Sequence, residues 1–383
     1  MQSSNLRDVL ILYGFSNHDQ LIKSLCKNLN EQGIVADSFN VVSWIFFSIN
    51  NHKRPFLLSL LTPFMIIPKI RGALIKFIGK TIITKLSRSY QIMDIHFFGS
   101  NYDKLIDLFL SQGGKVKLTI WGSDFYRADN ERREIQRKYY RKVDTIHIGT
   151  LQMKNDFLQV YPECEGKIRL AKFGISQFDI IEEYQVKKDI INYKKELELA
   201  QDKIIIACGS NGSEGHQHSL IFESIQKLPF ELKNKLFLVV PMTYGGSPEY
   251  KKKINEELSQ LDIPFKQFVT NLSIEDVCKL RIVSDIAITI QKTDAFSAAV
   301  QEHIYSGGIL IAGEWLPYNI LNDSGIYYLK TGLDNLTGTI EKSIIDLQGE
   351  KQKCISNKPK MEKISSWKST IKDWKIIYEE LIS

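Results

Sequence analysis

Short apolar runs alternate with longer amphipathic stretches along nearly the whole chain, and this alternation restricts the possible folds more than any other property of the sequence. Candidate strands fall at 9–13, 93–98, 116–121, 145–148, 168–170, 203–207, 236–241, 264–268, 286–290 and 309–312. Stretches of helical periodicity such as 20–32 and 218–227 lie between many of them. Strand–helix alternation at this spacing implies parallel sheets covered by helices. A length of 383 residues exceeds a single ordinary core. The strand pattern lapses near 174–201 into a Lys/Glu-rich helical stretch and restarts at Lys203. The chain therefore reads as α/β, with two doubly wound domains at 1–175 and 200–360 facing each other across a cleft and joined by a linker at 176–200. In the final segment, 361–383, Trp367, Ile371, Trp374 and Tyr378 fall on one helix face, as in a packing helix.

Composition narrows the class. Hydrophobic residues make up 43% and charged residues 25%, the balance of a soluble globular protein rather than a disordered, collagen-like or membrane-integral one. A net charge of +6 is too small to identify a nucleic-acid binder, and no nucleic acid is expected as a partner. The five cysteines, Cys26, Cys164, Cys208, Cys278 and Cys354, are odd in number, widely separated and without a CxxC pair. That argues against a disulfide framework or a zinc site and for a reducing, cytoplasmic setting, with no metal and no cofactor beyond a co-substrate. The N-terminal apolar run at 9–13 is too short for a signal peptide and lacks a basic flank.

Charge is unevenly distributed. Between Asp37 and Asp94 there is no acidic residue, while Lys53, Arg54, Lys69, Arg71, Lys76, Lys80, Lys85 and Arg88 all fall there. The apolar run 56–67 is too short for the ~20 residues a membrane span needs. Apolar residues interleaved with uncompensated Lys and Arg suit a helix lying on an anionic membrane, with Lys69, Arg71, Lys76 and Lys80 as the docking cations. The same pattern also fits a core helix with a solvated basic face.

Three loops could carry chemistry. After the strand at 203–207, Gly209, Asn211, Gly212, His216 and His218 lie in a Gly-rich turn before a helix, where backbone N–H groups and the helix N-terminus favour an anion. This is neither a Walker A motif nor a dinucleotide fingerprint. After the strand at 286–290, Asp294, Ser297, Ala298 and Glu302 open another helix; small residues expose its amides, and an acid there can accept hydrogen bonds from two ribose hydroxyls. In the first half, Trp121-Gly122-Ser123-Asp124 follows a strand, placing Asp124 as a general base or as a helix cap. His18 and Asp19, after the first strand, could assist proton transfer or cap the next helix.

These residues resemble those of glycosyltransferases of the GT-B type, which have two Rossmann-like domains. Asp294-x7-Glu302, followed by Tyr305-Ser306-Gly307-Gly308, is similar to the Glu-x7-Glu region of glycosyltransferase family 4, although the first position here is Asp. The resemblance implies that Glu302 binds the donor ribose. The Gly209–His218 loop, Pro241-Met242-Thr243-Tyr244 and Trp121-Gly122-Ser123-Asp124 resemble the enterobacterial common antigen fucosaminyltransferase (4-acetamido-4,6-dideoxygalactose transferase) family, which adds Tyr244 to the donor set.

The resemblance further implies a metal-independent hexosyltransferase. It would move a sugar from a UDP- or dTDP-linked donor to a lipid-linked or polysaccharide acceptor in bacterial cell-surface glycan assembly. Its expected place is peripheral, on the cytoplasmic face of the plasma membrane. The alternatives are a non-catalytic membrane-docked subunit of the same fold and a nucleotide-sugar 2-epimerase.

Overall fold

A computed structural model describes residues 7–14, 19–40, 89–97, 103–294 and 296–383. The chain forms two compact units. Unit 1 comprises residues 1–174 together with 367–383, and unit 2 comprises 175–366. The expected linker is therefore no linker: helices Gln177–Lys187 and Ile190–Glu196 belong to unit 2. The first of them stacks Phe178 on Tyr305, with ring centroids 4.0 Å apart. Charged residues at 176–200 are the solvent faces of packed helices, which composition alone cannot separate from a tether.

Unit 1 holds a six-stranded sheet in the order β2-β1-β3-β4-β5-β6. Its strands are β1 (Arg7–Tyr13), β2 (Ala36–Asn40), β3 (Tyr90–His96), β4 (Lys115–Ile120), β5 (Thr145–Ile148) and β6 (Ile168–Leu170). Unit 2 holds a second six-stranded sheet, β12-β11-β10-β7-β8-β9. It is built from β7 (Ile204–Cys208), β8 (Leu236–Pro241), β9 (Phe265–Phe268), β10 (Ile286–Thr289), β11 (Ile309–Gly313) and β12 (Leu329–Thr331). Every pairing in both sheets is parallel.

Both faces of each sheet are covered, as a parallel sheet requires. In β1, Leu10 and Leu12 enter one core with Leu118 and Ile146, while Val9, Ile11 and Tyr13 enter the other with Ile22, Trp374 and Tyr378. The terminal helix, Trp367–Ile382, thus packs on unit 1, its Trp374 Nε1 donating to the Lys172 carbonyl at 2.8 Å. It starts at Trp367 rather than at 361, because 361–365 finish the preceding helix, Asn357–Ser365, in unit 2.

In each sheet the strand order reverses once. In unit 2 the chain moves from β7 outward to β8 and β9, then returns to place β10 on the other side of β7. The register Ile286↔Ile206, Ala287↔Ala207, Ile288↔Cys208 sets the carboxyl ends of β7 and β10 side by side. Such a switch point leaves a crevice beyond the strand ends, between loops that diverge to opposite faces of the sheet.

Candidate functional site

The Gly-rich loop and the Asp294–Glu302 stretch singled out in the second half are the segments that leave β7 and β10, one on each side of this switch point. Main-chain and side-chain bonds tie them together. Gly209 N–H donates to the Ile288 carbonyl at 3.1 Å, Lys292 N–H donates to the Gly215 carbonyl at 2.8 Å, and the Gln217 amide donates to the Ile290 carbonyl.

A third loop completes the rim. Gly212 N–H donates to the Tyr244 carbonyl at 2.8 Å. Gly245 and Gly246 both adopt left-handed backbone conformations, φ 71° and 67°. A Cβ on Gly246 would lie 2.1 Å from the Gly212 carbonyl oxygen, and one on Gly212 would lie 2.6 Å from that of Gly245. Close approach of two backbones requires glycine on both sides. The sequence reading missed Gly245 and Gly246, although a Gly-Gly pair directly after Tyr244 was the available signal.

His218 is the first residue of helix His218–Gln226 and is fully buried. Its Nδ1 lies 3.0 Å from the Tyr250 hydroxyl, while its buried Nε2 has no hydrogen-bond partner. Gly209, at φ 71°, lets this nitrogen come up against the loop: a Cβ there would sit 2.8 Å from Nε2. Burial lowers the imidazole to about 4, so it is neutral near pH 7. His216 stands beside it with ring centroids 5.7 Å apart, its Nε2 3.5 Å from Ser210 Oγ. Asn211 turns its side-chain oxygen back to accept from Ser213 N–H at 2.8 Å, shaping the loop.

Across the switch point, Asp294 Oδ2 accepts from Ser297 N–H at 3.0 Å and from the Tyr318 hydroxyl. Phe296 is held at φ 65°, an unusual conformation for a residue with a side chain, and its carbonyl accepts from Gln301 Nε2 at 2.7 Å. Helix Ala298–Tyr305 then begins with Ser297 in the cap position, its buried hydroxyl without a partner. The amides of the first turn, at Ala298 and its neighbours, have no intrahelical acceptor.

Glu302 is buried on that helix, and its Oε2 accepts from Arg281 Nε at 3.1 Å. Arg281 comes from helix Ile274–Val283 and was not among the expected site residues. Burial raises the Glu302 carboxyl above its usual range, opposed by the Arg281 charge and hydrogen bond. The Tyr244 ring is exposed on one side, but its hydroxyl senses Asn211, Arg281, Glu302 and Asp294. These electrostatic influences put the three loops and helix 274–283 in one neighbourhood.

The expected residues of unit 1 are situated differently. Asp124 has 0% exposure. Its Oδ1 accepts from Trp121 N–H at 2.9 Å and Gly122 N–H at 3.0 Å, closing a turn that Gly122 permits at φ 102°. Burial raises its carboxyl to about 6, against the pull of those backbone donors. In this arrangement the carboxylate closes the turn that precedes it; it does not cap helix Ser123–Tyr126, whose cap position is Gly122 without a side-chain bond. Asp19 opens helix Asp19–Glu31. The side chain of Asp19, all of His18, and Lys69, Arg71, Lys76 and Lys80 lie outside the described residues.

Unit 1 also contains a buried network unmarked by any motif. Asp94 Oδ2 lies 2.7 Å from Lys117 Nζ, 2.9 Å from His96 Nε2 and 2.6 Å from the Tyr378 hydroxyl, and Thr119 donates to Oδ1 at 2.9 Å. Burial opposes the Asp94 charge, and the His96 and Lys117 side chains overcome it, holding the carboxyl below the usual range. The network links β3, β4 and the terminal helix. Among the described residues no group of three or more His, Cys, Asp or Glu side chains could hold a metal ion.

No family model matches the chain, and no curated protein matches it. Solved structures do. The chain is similar to a glycosyltransferase from Rickettsia africae ESF-5, with a TM-score of 0.72 and 14% identity over 99% of each chain. It is similar to Anabaena Alr3699/HepE in complex with UDP and glucose, with a TM-score of 0.69 and 10% identity over 98% of each chain. Sucrose-phosphate synthase from Thermosynechococcus elongatus gives 0.68 and 11%, over 98% of this chain and 99% of that one. At such identities the likeness is one of fold, and it extends over the whole chain. The architecture is the GT-B fold.

Proposed function

We propose that this protein is a nucleotide-sugar-dependent glycosyltransferase whose donor lies at the switch point of unit 2. The observation that carries the reading is the pair of helix N-termini, at His218–Gln226 and Ala298–Tyr305, opening beside each other at the ends of β7 and β10. A buried, unpartnered His218 Nε2 and Ser297 hydroxyl accompany them. Helix N-termini stabilise anions, and buried polar atoms without partners are rare unless something else supplies the bond. Gly209, Gly212 and Ser297, whose own N–H groups already donate to Ile288, Tyr244 and Asp294, shape the loops, and a diphosphate would meet the first-turn amides at Ala298 and Ala299. These groups neutralise charge on the leaving group without a cation, an electrostatic role that grows as the glycosidic bond breaks. Glu302 would accept the pentose hydroxyls, and Asp294 and Tyr244 would flank the sugar-phosphate.

The finer reading rests on the sequence resemblance: a UDP- or dTDP-linked hexose passes to a lipid-linked or polysaccharide acceptor at the cytoplasmic face of a bacterial plasma membrane, without metal. A carboxylate that grips two vicinal hydroxyls favours UDP, because dTDP lacks the 2′-hydroxyl. Asp124 enters this reaction as the support of the Trp121 turn, unless the turn opens in the acceptor complex.

The test is calorimetric binding of UDP, dTDP, GDP and CMP to the wild type and to Glu302→Gln and Glu302→Asp. The expected result is selective binding of one nucleoside diphosphate, weakened about tenfold or more by either substitution, with thermal unfolding used to check the fold. Glutamine is preferred to alanine because it still accepts from Arg281. Binding of none of the four nucleotides would turn the assignment to the non-catalytic subunit.

A further inference from the structure

Glu302 and Arg281 form a pair that the donor site alone does not explain. Both are buried, with side-chain exposures of 5% and 11%. They come from different helices, and only one carboxylate oxygen, Oε2, receives Arg281 Nε. Buried ion pairs are weak sources of stability, since desolvation offsets most of their attraction, and apolar residues of similar size often serve as well. A buried pair of this kind on the helix that opens the proposed donor site therefore invites a reading in terms of the ligand.

We infer that Arg281 is the positioning residue of the nucleotide site: its guanidinium pins one oxygen of Glu302 and leaves the other to accept the hydroxyls of the donor's pentose. This rests on the proposed donor site. Two features of the surroundings support it. The groups coupled to Glu302 are Arg281 and Cys278 on helix 274–283 and Tyr244 from the loop after β8, with Asp294 near Tyr244 and His303 next along its own helix. Cys278 is pushed up to about 12 and Tyr244 above its ordinary range, and His303 is lowered to about 4. All three are neutral near pH 7, so Arg281 is the cation of this set. Without it, Glu302 would face burial with no opposing charge and would take up a proton. A protonated carboxyl keeps one acceptor oxygen and can no longer serve two hydroxyls together.

Arg281 thus acts through Glu302 and does not itself contact the nucleotide. A double-mutant cycle tests this, with UDP as the probe and Arg281→Gln, Glu302→Gln, the double variant and Arg281→Lys compared with the wild type from pH 5.5 to 8.5. Expressing each result as a ratio to wild type cancels the titration of UDP's own phosphate. Arg281→Gln is expected to weaken UDP about tenfold at pH 6 and to recover as pH rises, while Arg281→Lys stays within about threefold throughout. In the Glu302→Gln background, Arg281→Gln should change affinity by less than about twofold.

Equal losses from Arg281→Gln in both backgrounds, or a loss independent of pH, would overturn the inference. The double variant carries no buried charge, so it keeps the cycle informative if Arg281→Gln alone fails to fold. In that case a further loss in the double variant relative to Glu302→Gln decides against the inference. Failure of the donor-site reading looks different: the wild type would bind no UDP and no other nucleotide.

Discussion

At Asp124 two backbone N–H groups hold one carboxylate oxygen, while the other oxygen is buried without a hydrogen-bond partner. The sequence left a base and a cap equally open, because both need an acid just after a strand. Packing buries it instead in its own turn: Gln136 Nε2, from helix Asn130–Lys142, donates to the Asp124 carbonyl at 2.7 Å. Burial that raises a carboxyl from 3.8 to about 6 makes the folded state hold the proton more tightly than the unfolded chain does. This contribution to stability is fully present below pH 3.8, is lost as pH rises through about 6, and stays lost at neutral pH. The amount is at most about 3 kcal/mol. Asp124→Asn keeps the acceptor for the two amides and removes the charge. At pH 7 it should unfold at a urea midpoint no lower than the wild type, and its stability should vary less between pH 4 and 6. In an assay of the proposed sugar transfer this variant should remain active; a loss of turnover in a well-folded Asp124→Asn would assign Asp124 as the base.

Among the secondary-structure elements, the strands missed from the sequence are β2 and β12, one edge of each sheet. Central strands are clothed on both faces and bonded on both sides, so they appear as continuous apolar runs. Edge strands are not so constrained, and Ala36–Asn40 and Leu329–Thr331 carry polar residues and few apolar ones. The paired loops at Gly212 and Gly245–Gly246 give an element-level prediction. Gly246→Ala places a methyl group 2.1 Å from the Gly212 carbonyl at φ 67°, so the loops must separate. Its UDP affinity should fall about tenfold while the far-ultraviolet circular dichroism is unchanged. Gly307→Ala is the control, because φ is 85° there and no atom lies within 4 Å. It should cost about 1 kcal/mol of stability and leave UDP affinity intact. Equal effects of both substitutions on UDP would remove the glycine contact from the site.

For the whole molecule, the charge of +6 is not spread evenly: the acid-free stretch between Asp37 and Asp94 carries eight Lys and Arg, more than the entire net charge. No helix among the described residues is long and apolar enough to cross a membrane. If the stretch docks on an anionic surface, changing Lys69, Arg71, Lys76 and Lys80 to Gln should cut sedimentation with phosphatidylglycerol vesicles several-fold. Raising ionic strength from about 0.05 to 0.5 M should do the same to the wild type. Vesicle binding that is equal for both proteins and insensitive to salt would make the stretch an ordinary part of unit 1.

The alternation of apolar and amphipathic segments was enough to specify two parallel α/β sheets and to find most of their strands. That information is local, since each buried strand must be apolar wherever its neighbours lie. The same holds for the glycine-rich turn after β7, whose composition reports a backbone that approaches something closely. Residues whose partners are remote in sequence left no such mark. Arg281 meets Glu302, the terminal helix brings Tyr378 back to Asp94, and helices expected to be a tether pack into unit 2. Burial depends on what the rest of the chain lays over a residue. That Asp124 is buried in its own turn, and that Glu302 is held by Arg281, is therefore decided only when the chain is folded.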